Sequence, residues 1–146
     1  MKVVVDGDSC PSRNIIEKAA RELSVEMEIF CDVNHHITSE YSKVIYMDSG
    51  FQSVDMAIFN SIKSGDIVVT GDFGVASMVI GKKAYAISPK GYVFDEDNMN
   101  RLLFERHISQ KVRRSGGRTQ GPKKRLKEDD VRLYESLKTL IMKANE

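Results

Sequence analysis

The sequence predicts a single-domain α/β protein with a mainly parallel sheet flanked by helices. Three observations carry that prediction. Val3-Val4-Val5 is an uninterrupted β-branched run, which a strand buried on both faces requires. Further short apolar runs alternate with segments of helical periodicity, the β-α-β pattern of a parallel sheet. The 146 residues, 41% hydrophobic and 29% charged, suit one domain with a substantial core.

The first strand ends in Asp6-Gly7-Asp8-Ser9-Cys10, and Pro11 opens a helix from about Ser12 to Leu23. That helix places Ile15, Ile16, Ala19, Ala20 and Leu23 on one face. Val25 to Asp32 forms a second strand and Lys43 to Asp48 a third. A helix from about Gln52 to Lys63 turns Val54, Ile58 and Ile62 inward, and Gly65 ends it. Asp66 to Thr70 is the next buried strand, and a short helix through Ala76, Val79 and Ile80 closes at Gly81.

Ala84 to Ile87 gives a further strand, and the turn Ser88-Pro89-Lys90-Gly91 leads into Tyr92-Val93-Phe94. Asp95 N-caps a helix running to about Val112. The segment Arg113 to Lys127, with three glycines and a proline, reads as a basic, irregular loop. A last helix, at about 128–144, aligns Val131, Tyr134, Leu137, Ile141 and Ala144. This stripe can pack on its own sheet or on a partner, so the oligomeric state is left open.

No apolar stretch approaches the roughly 20 residues that span a bilayer, so no membrane role is expected and the chain reads as cytoplasmic. Cys10 and Cys31 form neither a disulfide framework nor a zinc spacing. The formal net charge of +1 conceals an asymmetry. Residues 1–100 carry 9 Lys/Arg against 15 Asp/Glu, whereas residues 101–146 carry 13 against 6. The first part suits cations and the second a polyanion, although charge runs also serve as solvated faces.

In a parallel sheet, ligands bind at the carboxyl ends of the strands. Asp6 follows the first strand, Asp8 lies two residues on, and Asp72 follows the Asp66–Thr70 strand, so all three emerge at that edge. Asp55, in the first turn of a helix that follows a strand, starts at the same edge. Converging carboxylates repel unless a cation neutralises them. All-oxygen ligation favours Mg²⁺ or Mn²⁺, and the chemistry that follows is in-line phosphodiester hydrolysis.

Each acid also has a plainer reading. Asp6 and Asp8 can cap the following helix or shape its turn, Asp72 can cap the Phe73–Ile80 helix, and Asp55 can complement a helix dipole. Asp66 begins its strand at the opposite edge and belongs to a turn, while Asp48 ends its strand on the correct edge. Cys10 reads as a small buried residue, and His35, His36 and His107 as surface or packing residues.

Asp6-Gly7-Asp8-Ser9-Cys10-Pro11 resembles the opening D-x-D-x-C-P of the bacterial YaiI/YqxD family, and Gly65-Asp66-Ile67-Val68-Val69-Thr70-Gly71-Asp72 resembles its G-D-x-V-I-T-x-D segment. Ser88-Pro89-Lys90-Gly91 and Arg118-Thr119-Gln120-Gly121-Pro122 are similar to two further family segments. Members are grouped with PIN-like domains, a metal-dependent nuclease class. The resemblance therefore implies a PIN-like fold over 1–146 and an acidic Mg²⁺ or Mn²⁺ site carried by Asp6, Asp8, Asp55 and Asp72. Two departures stand out: Gln52 replaces a further Asp common after Gly-Phe, and Gly7 stands where Ala is common, a small change.

The expected activity is metal-dependent phosphodiester hydrolysis, with RNA as the polymer. Arg113, Arg114, Arg118, Lys123 and Lys124 are the candidate contacts to substrate phosphate, since arginines grip it bidentately and the intervening glycines let backbone N–H groups approach. The stretch lacks interleaved aromatics, so binding is expected to be backbone-directed and salt-sensitive. The alternatives are a nucleic-acid or nucleotide binding module without turnover, and a phosphatase acting on small molecules.

Overall fold

The structure, a computed structural model, describes residues 1–48, 53–117 and 124–146. Among these residues a six-stranded sheet forms in the order β3-β2-β1-β4-β5-β6. β1 (Val3–Asp6) lies at its centre, hydrogen-bonded in parallel to β2 (Met27–Asp32) and to β4 (Ile67–Val69). β3 (Lys43–Met47) and β5 (Tyr85–Ile87) extend the parallel pairing on either side, and β6 (Val93–Phe94) closes one edge antiparallel to β5.

Alternation along the strands divides the core into two layers. Val3 and Val5 point to one face, where Ile29, Ile67, Val69 and Ile87 join them. There they meet α1 (Arg13–Glu22) through Ile16, Ala19 and Ala20, and α5 (Lys127–Ala144) through Leu133, Leu137, Leu140 and Ile141. Val4 points the other way, with Phe30, Val68 and Ala86, against α2 (Val54–Ser61), α3 (Phe73–Gly81) and the start of α4 (Glu96–Arg114). All three valines are fully buried, as a central strand with helices on both faces demands.

Three expectations change. The inward face of α5 is Leu133, Leu137, Leu140 and Ile141, whereas Val131 is 57% exposed. The helix is rotated so that it packs on α1, where Tyr134 donates to Glu22, Lys138 lies 3.3 Å from the same carboxylate, and Ser12 Oγ donates to Asp130 Oδ1 at 3.1 Å. Its apolar stripe thus covers the chain's own sheet. Second, Arg113 and Arg114 belong to the last turn of α4 rather than to a loop, where basic side chains complement the negative end of the helix dipole. Third, α2 starts at Val54, where the Ser53 hydroxyl accepts from Met56 N–H at 3.2 Å; Gln52 lies outside the described residues.

α4 packs beside α3. Glu96 and Met99 lie beside Gly81 at the end of α3, and Arg101 and Leu102 lie beside Phe73 at its start. From Leu103 to Arg114 every residue but Ser109 is exposed, so this half extends past the packed layers. Among the described residues no helix is long and apolar enough to cross a membrane.

Candidate metal centre at the carboxyl edge

Asp6 is the last residue of β1 and is 4% exposed. Its Oδ2 accepts from the Thr70 hydroxyl at 2.9 Å, and Thr70 Oγ1 accepts in turn from Asp72 N–H at 3.0 Å. Thr70 is fully buried, one residue beyond β4. Ser9 completes the stitch: its N–H donates to the Asp6 carbonyl at 3.1 Å, and its Oγ accepts from Gly71 N–H at 3.0 Å. The turns after β1 and β4 are thus joined side by side.

Burial pushes the Asp6 carboxyl above its ordinary value; hydrogen bonds from Thr70 and Ser9 pull it down, and the charges of Asp8 and Asp55 push it up again. Asp55, in the first turn of α2, is raised by burial and then by the charges of Asp72 and Asp8. Asp6 therefore feels Asp8 and Asp55, and Asp55 feels Asp72 and Asp8, across this corner. They do not form a compact cage: among the described residues no group of three His, Cys, Asp or Glu side chains stands close enough to hold a metal ion. An all-oxygen set suits Mg²⁺ or Mn²⁺, and Mg²⁺ commonly takes one or two carboxylates and completes its octahedron with water. The residues fit such an ion in that form and not as a multi-carboxylate cage.

Asp72 caps α3, its Oδ1 accepting from Gly74 N–H at 2.7 Å and Val75 N–H at 3.3 Å. Both bonds fall on one oxygen, so the cap leaves Oδ2 unused. Asp8 is partly exposed, and its Oδ1 accepts from Asp32 N–H at 3.3 Å with His35 Nδ1 3.2 Å away. Asp66 sits at the opposite edge, its carboxylate accepting from Lys2 N–H and Lys63 N–H as a turn residue.

Sequence reasoning passed over Thr70, Asp32 and Arg13 here, and read His35, which is half exposed beside Asp8, as a surface or packing residue. Asp32 ends β2 at the same edge as Asp6, so the strand-end rule applied to it as well. Arg13 brings a cation to the acidic turn, its Nη1 donating to the Cys10 carbonyl at 3.2 Å. His35 reaches Asp8 through a loop whose path no periodicity encodes.

A Cβ built at Gly7 would approach the Phe30 carbonyl oxygen to 2.9 Å, so the absence of a side chain matters more than one methyl suggests. It lets Gly7 N–H donate to that oxygen at 2.7 Å. Cys10 is buried, donates to the Val69 carbonyl at 3.3 Å, and has its thiol pushed up to about 12, chiefly by burial. It is a packing residue rather than a nucleophile.

Of the candidate phosphate contacts, Arg113 and Arg114 lie on the projecting end of α4, Lys124 is exposed ahead of α5, and Arg118 and Lys123 fall outside the described residues. Arg125 serves the fold, with Nη1 donating to the Pro89 carbonyl at 2.7 Å and Nη2 2.7 Å from Asp130. A concavity of about 580 Å³ lies between Arg21, Met27, Tyr41 and Lys43. Met27 and Lys43 begin β2 and β3, which places it at the amino edge, away from the acids.

Residues 4–143 match the family described as "Uncharacterized BCR, YaiI/YqxD family". The chain is 58% identical to the UPF0178 protein of Clostridium tetani over 144 residues, covering 99% of each. It is 60% identical to that of Clostridium novyi over 146 residues, covering 100% of this chain and 98% of the relative. It is 62% identical to that of Clostridium kluyveri over 142 residues, 97% and 93% of the two. Among solved structures, the crystal structure of Rae1 (YacP) from Bacillus subtilis, a W164L mutant, aligns over the whole of both chains at 18% identity and a TM-score of 0.45.

Proposed function

The chain belongs to the YaiI/YqxD family, and on that premise we propose that it is a PIN-like nuclease that hydrolyses phosphodiester bonds in RNA with Mg²⁺ or Mn²⁺. The observation that carries this reading is the buried Asp6 carboxylate, fixed by Thr70, with the charges of Asp8 and Asp55 acting on it. A structural aspartate is usually neutralised by a basic partner or saturated with donors. Asp6 has hydrogen bonds from Thr70 and Ser9 but no basic partner among the described residues, and the charges of Asp8 and Asp55 act on it.

A divalent ion, when bound, offsets that repulsion and stabilises the charge that develops on the leaving oxygen. Asp6 and Asp72 are the ligands in this reading. Asp8 and Asp55 ligate or accept the proton of the attacking water, and a carboxyl raised by burial is the better proton acceptor of the ordinary acids. The water oxygen attacks phosphorus in line and the ester bond opposite it breaks. The departing oxygen then takes a proton from solvent. Arg113, Arg114, Arg118, Lys123 and Lys124 contact the flanking phosphates.

The test is cleavage of mixed single-stranded and structured RNA in Mn²⁺, Mg²⁺ or chelator, beside Asp6→Asn prepared identically. Cleavage lost both in chelator and in the mutant supports the reading; cleavage indifferent to either removes it. The spread of the carboxylates favours a second reading, a nucleic-acid or nucleotide binding module without turnover. Such a module retains its RNA affinity in chelator and cleaves nothing.

A further inference from the structure

A cavity of about 440 Å³ opens between the start of α3, β6 and the first turns of α4, a volume within the range of small-ligand pockets. Its walls are mostly apolar and include Phe73, Tyr92 and Phe94, with Ser88, Arg101 and Leu102 beside them. Phe73 follows Asp72 directly in the chain. Ser88 follows the last residue of β5, which pairs with the last residue of β4, so it stands level with Thr70. The cavity thus adjoins the acidic corner, with β5 two strand spacings, about 10 Å, from β1.

The lining suits a flat aromatic ligand. Phe73 and Phe94 meet edge to face, centroids 5.9 Å apart at 89°. Tyr92 carries the Arg132 guanidinium over one face of its ring at 4.5 Å and is nevertheless 57% exposed. A ring backed by a cation and open on its other side is a stacking platform. Arg101 is exposed and makes no ion pair or hydrogen bond among the described residues, which leaves its charge for a phosphate. The Asn98 amide is already used at both ends, accepting from Asp95 N–H at 2.9 Å and donating to the Val93 carbonyl at 2.8 Å. It is therefore not free to read a base edge.

We infer that this cavity receives an unpaired nucleobase of a single-stranded nucleic acid, stacked on Tyr92 and Phe73 with little sequence preference, while Arg101 contacts the adjoining phosphate. The inference rests on the phosphodiesterase reading only for the path of the strand. It names what that reading leaves open, which is that the substrate is single-stranded at the site. A base held in a duplex stack cannot enter without being flipped out.

The test uses the full chain in chelator, so that nothing is cleaved, and measures binding of a short fluorescent single-stranded RNA, the same backbone with abasic sugars, and a blunt duplex. The intact strand is expected to bind about 5- to 100-fold more tightly than the abasic one. Tyr92→Ala, at an exposed position, and Phe73→Leu, which keeps apolar volume, are each expected to remove most of that difference and leave abasic affinity unchanged. Equal affinity for intact and abasic strands, undetectable binding, or an unchanged difference in both variants overturns the inference. Self-association abolished by Tyr92→Ala also overturns it, by assigning the cavity to a second copy of the chain. Cleavage in Mn²⁺, measured separately, keeps the two proposals apart: base preference without cleavage spares the cavity and sinks the nuclease, and cleavage without base preference does the reverse.

Discussion

The Thr70 hydroxyl donates to Asp6 Oδ2 at 2.9 Å across the β1–β4 pair, linking the ends of two strands 64 residues apart. Both residues are buried, so the bond sets the orientation of the carboxylate and the ease with which it ionises. Thr70→Val keeps the shape and deletes the donor. Its expected effects are a further rise in the Asp6 carboxyl, an acidic limb of the cleavage profile displaced to higher pH, and a stability loss of about 1 kcal/mol. Carboxyl NMR titration and urea unfolding measure these directly, and an unmoved Asp6 titration would refute the coupling.

Asp6 and Asp55 are both raised above the ordinary aspartate value of 3.8, chiefly by burial. Between that value and the folded one, the native state holds more protons than the unfolded chain, so stability falls as pH rises through the window. Asp6→Asn removes the ionisation. The variant is expected to melt above the parent at pH 7, with the two curves converging toward pH 3.8 and below. A variant less stable than the parent at neutral pH contradicts the burial of an uncompensated charge.

Divalent ions offset the same repulsion and are expected to raise the melting temperature of the parent. A ligand at 100 times its Kd stabilises by about 2.7 kcal/mol. Thermal melts in Mn²⁺, in Mg²⁺ and in chelator should therefore separate for the parent and draw together for Asp6→Asn. Equal shifts in both proteins would place the ion elsewhere.

Gly91 adopts φ +88°, and a Cβ there would come within 2.5 Å of Leu133 N and 2.6 Å of Arg132 C in α5. Gly91→Ala therefore combines a left-handed backbone with a collision against a helix main chain, and about 2–4 kcal/mol of destabilisation is expected. Gly65, at φ +91° with nothing within 4 Å, isolates the backbone component, so Gly65→Ala should cost only about 1–2 kcal/mol. Denaturant midpoints for the two variants measure the difference, and equal losses would mean that the Ser88–Gly91 turn does not seat against α5.

The central strand was legible because Val3, Val4 and Val5 leave no polar face, and the helices flanking it because their apolar positions repeat at helical spacing. The strand-end rule placed Asp6, Asp55 and Asp72 at one edge for the same reason, since topology alone determines which end of a parallel strand faces the site. What escaped depends on rotation and on loops. Val131 and Leu133 both fit an apolar stripe, and only docking on α1 decides which one is buried. Arg113 and Arg114 resembled a loop because of the glycines that follow, yet both lie in the last turn of α4, where basic side chains complement the helix dipole. Tyr92 and Phe94 are separated in sequence from Phe73, so their shared cavity depends on β6 turning back along β5.

Because α5 lies on α1, the layer beneath Val3 and Val5 is completed by a helix far downstream in the chain. Ser12 and Asp130, hydrogen-bonded at 118 residues' separation, mark that closure. A nascent polypeptide emerging from the ribosome exposes one side of β1 until α5 has been synthesised. Products stalled or cut before α5 would therefore expose an apolar sheet to proteases and chaperones, making elimination of such incomplete copies a by-product of the topology.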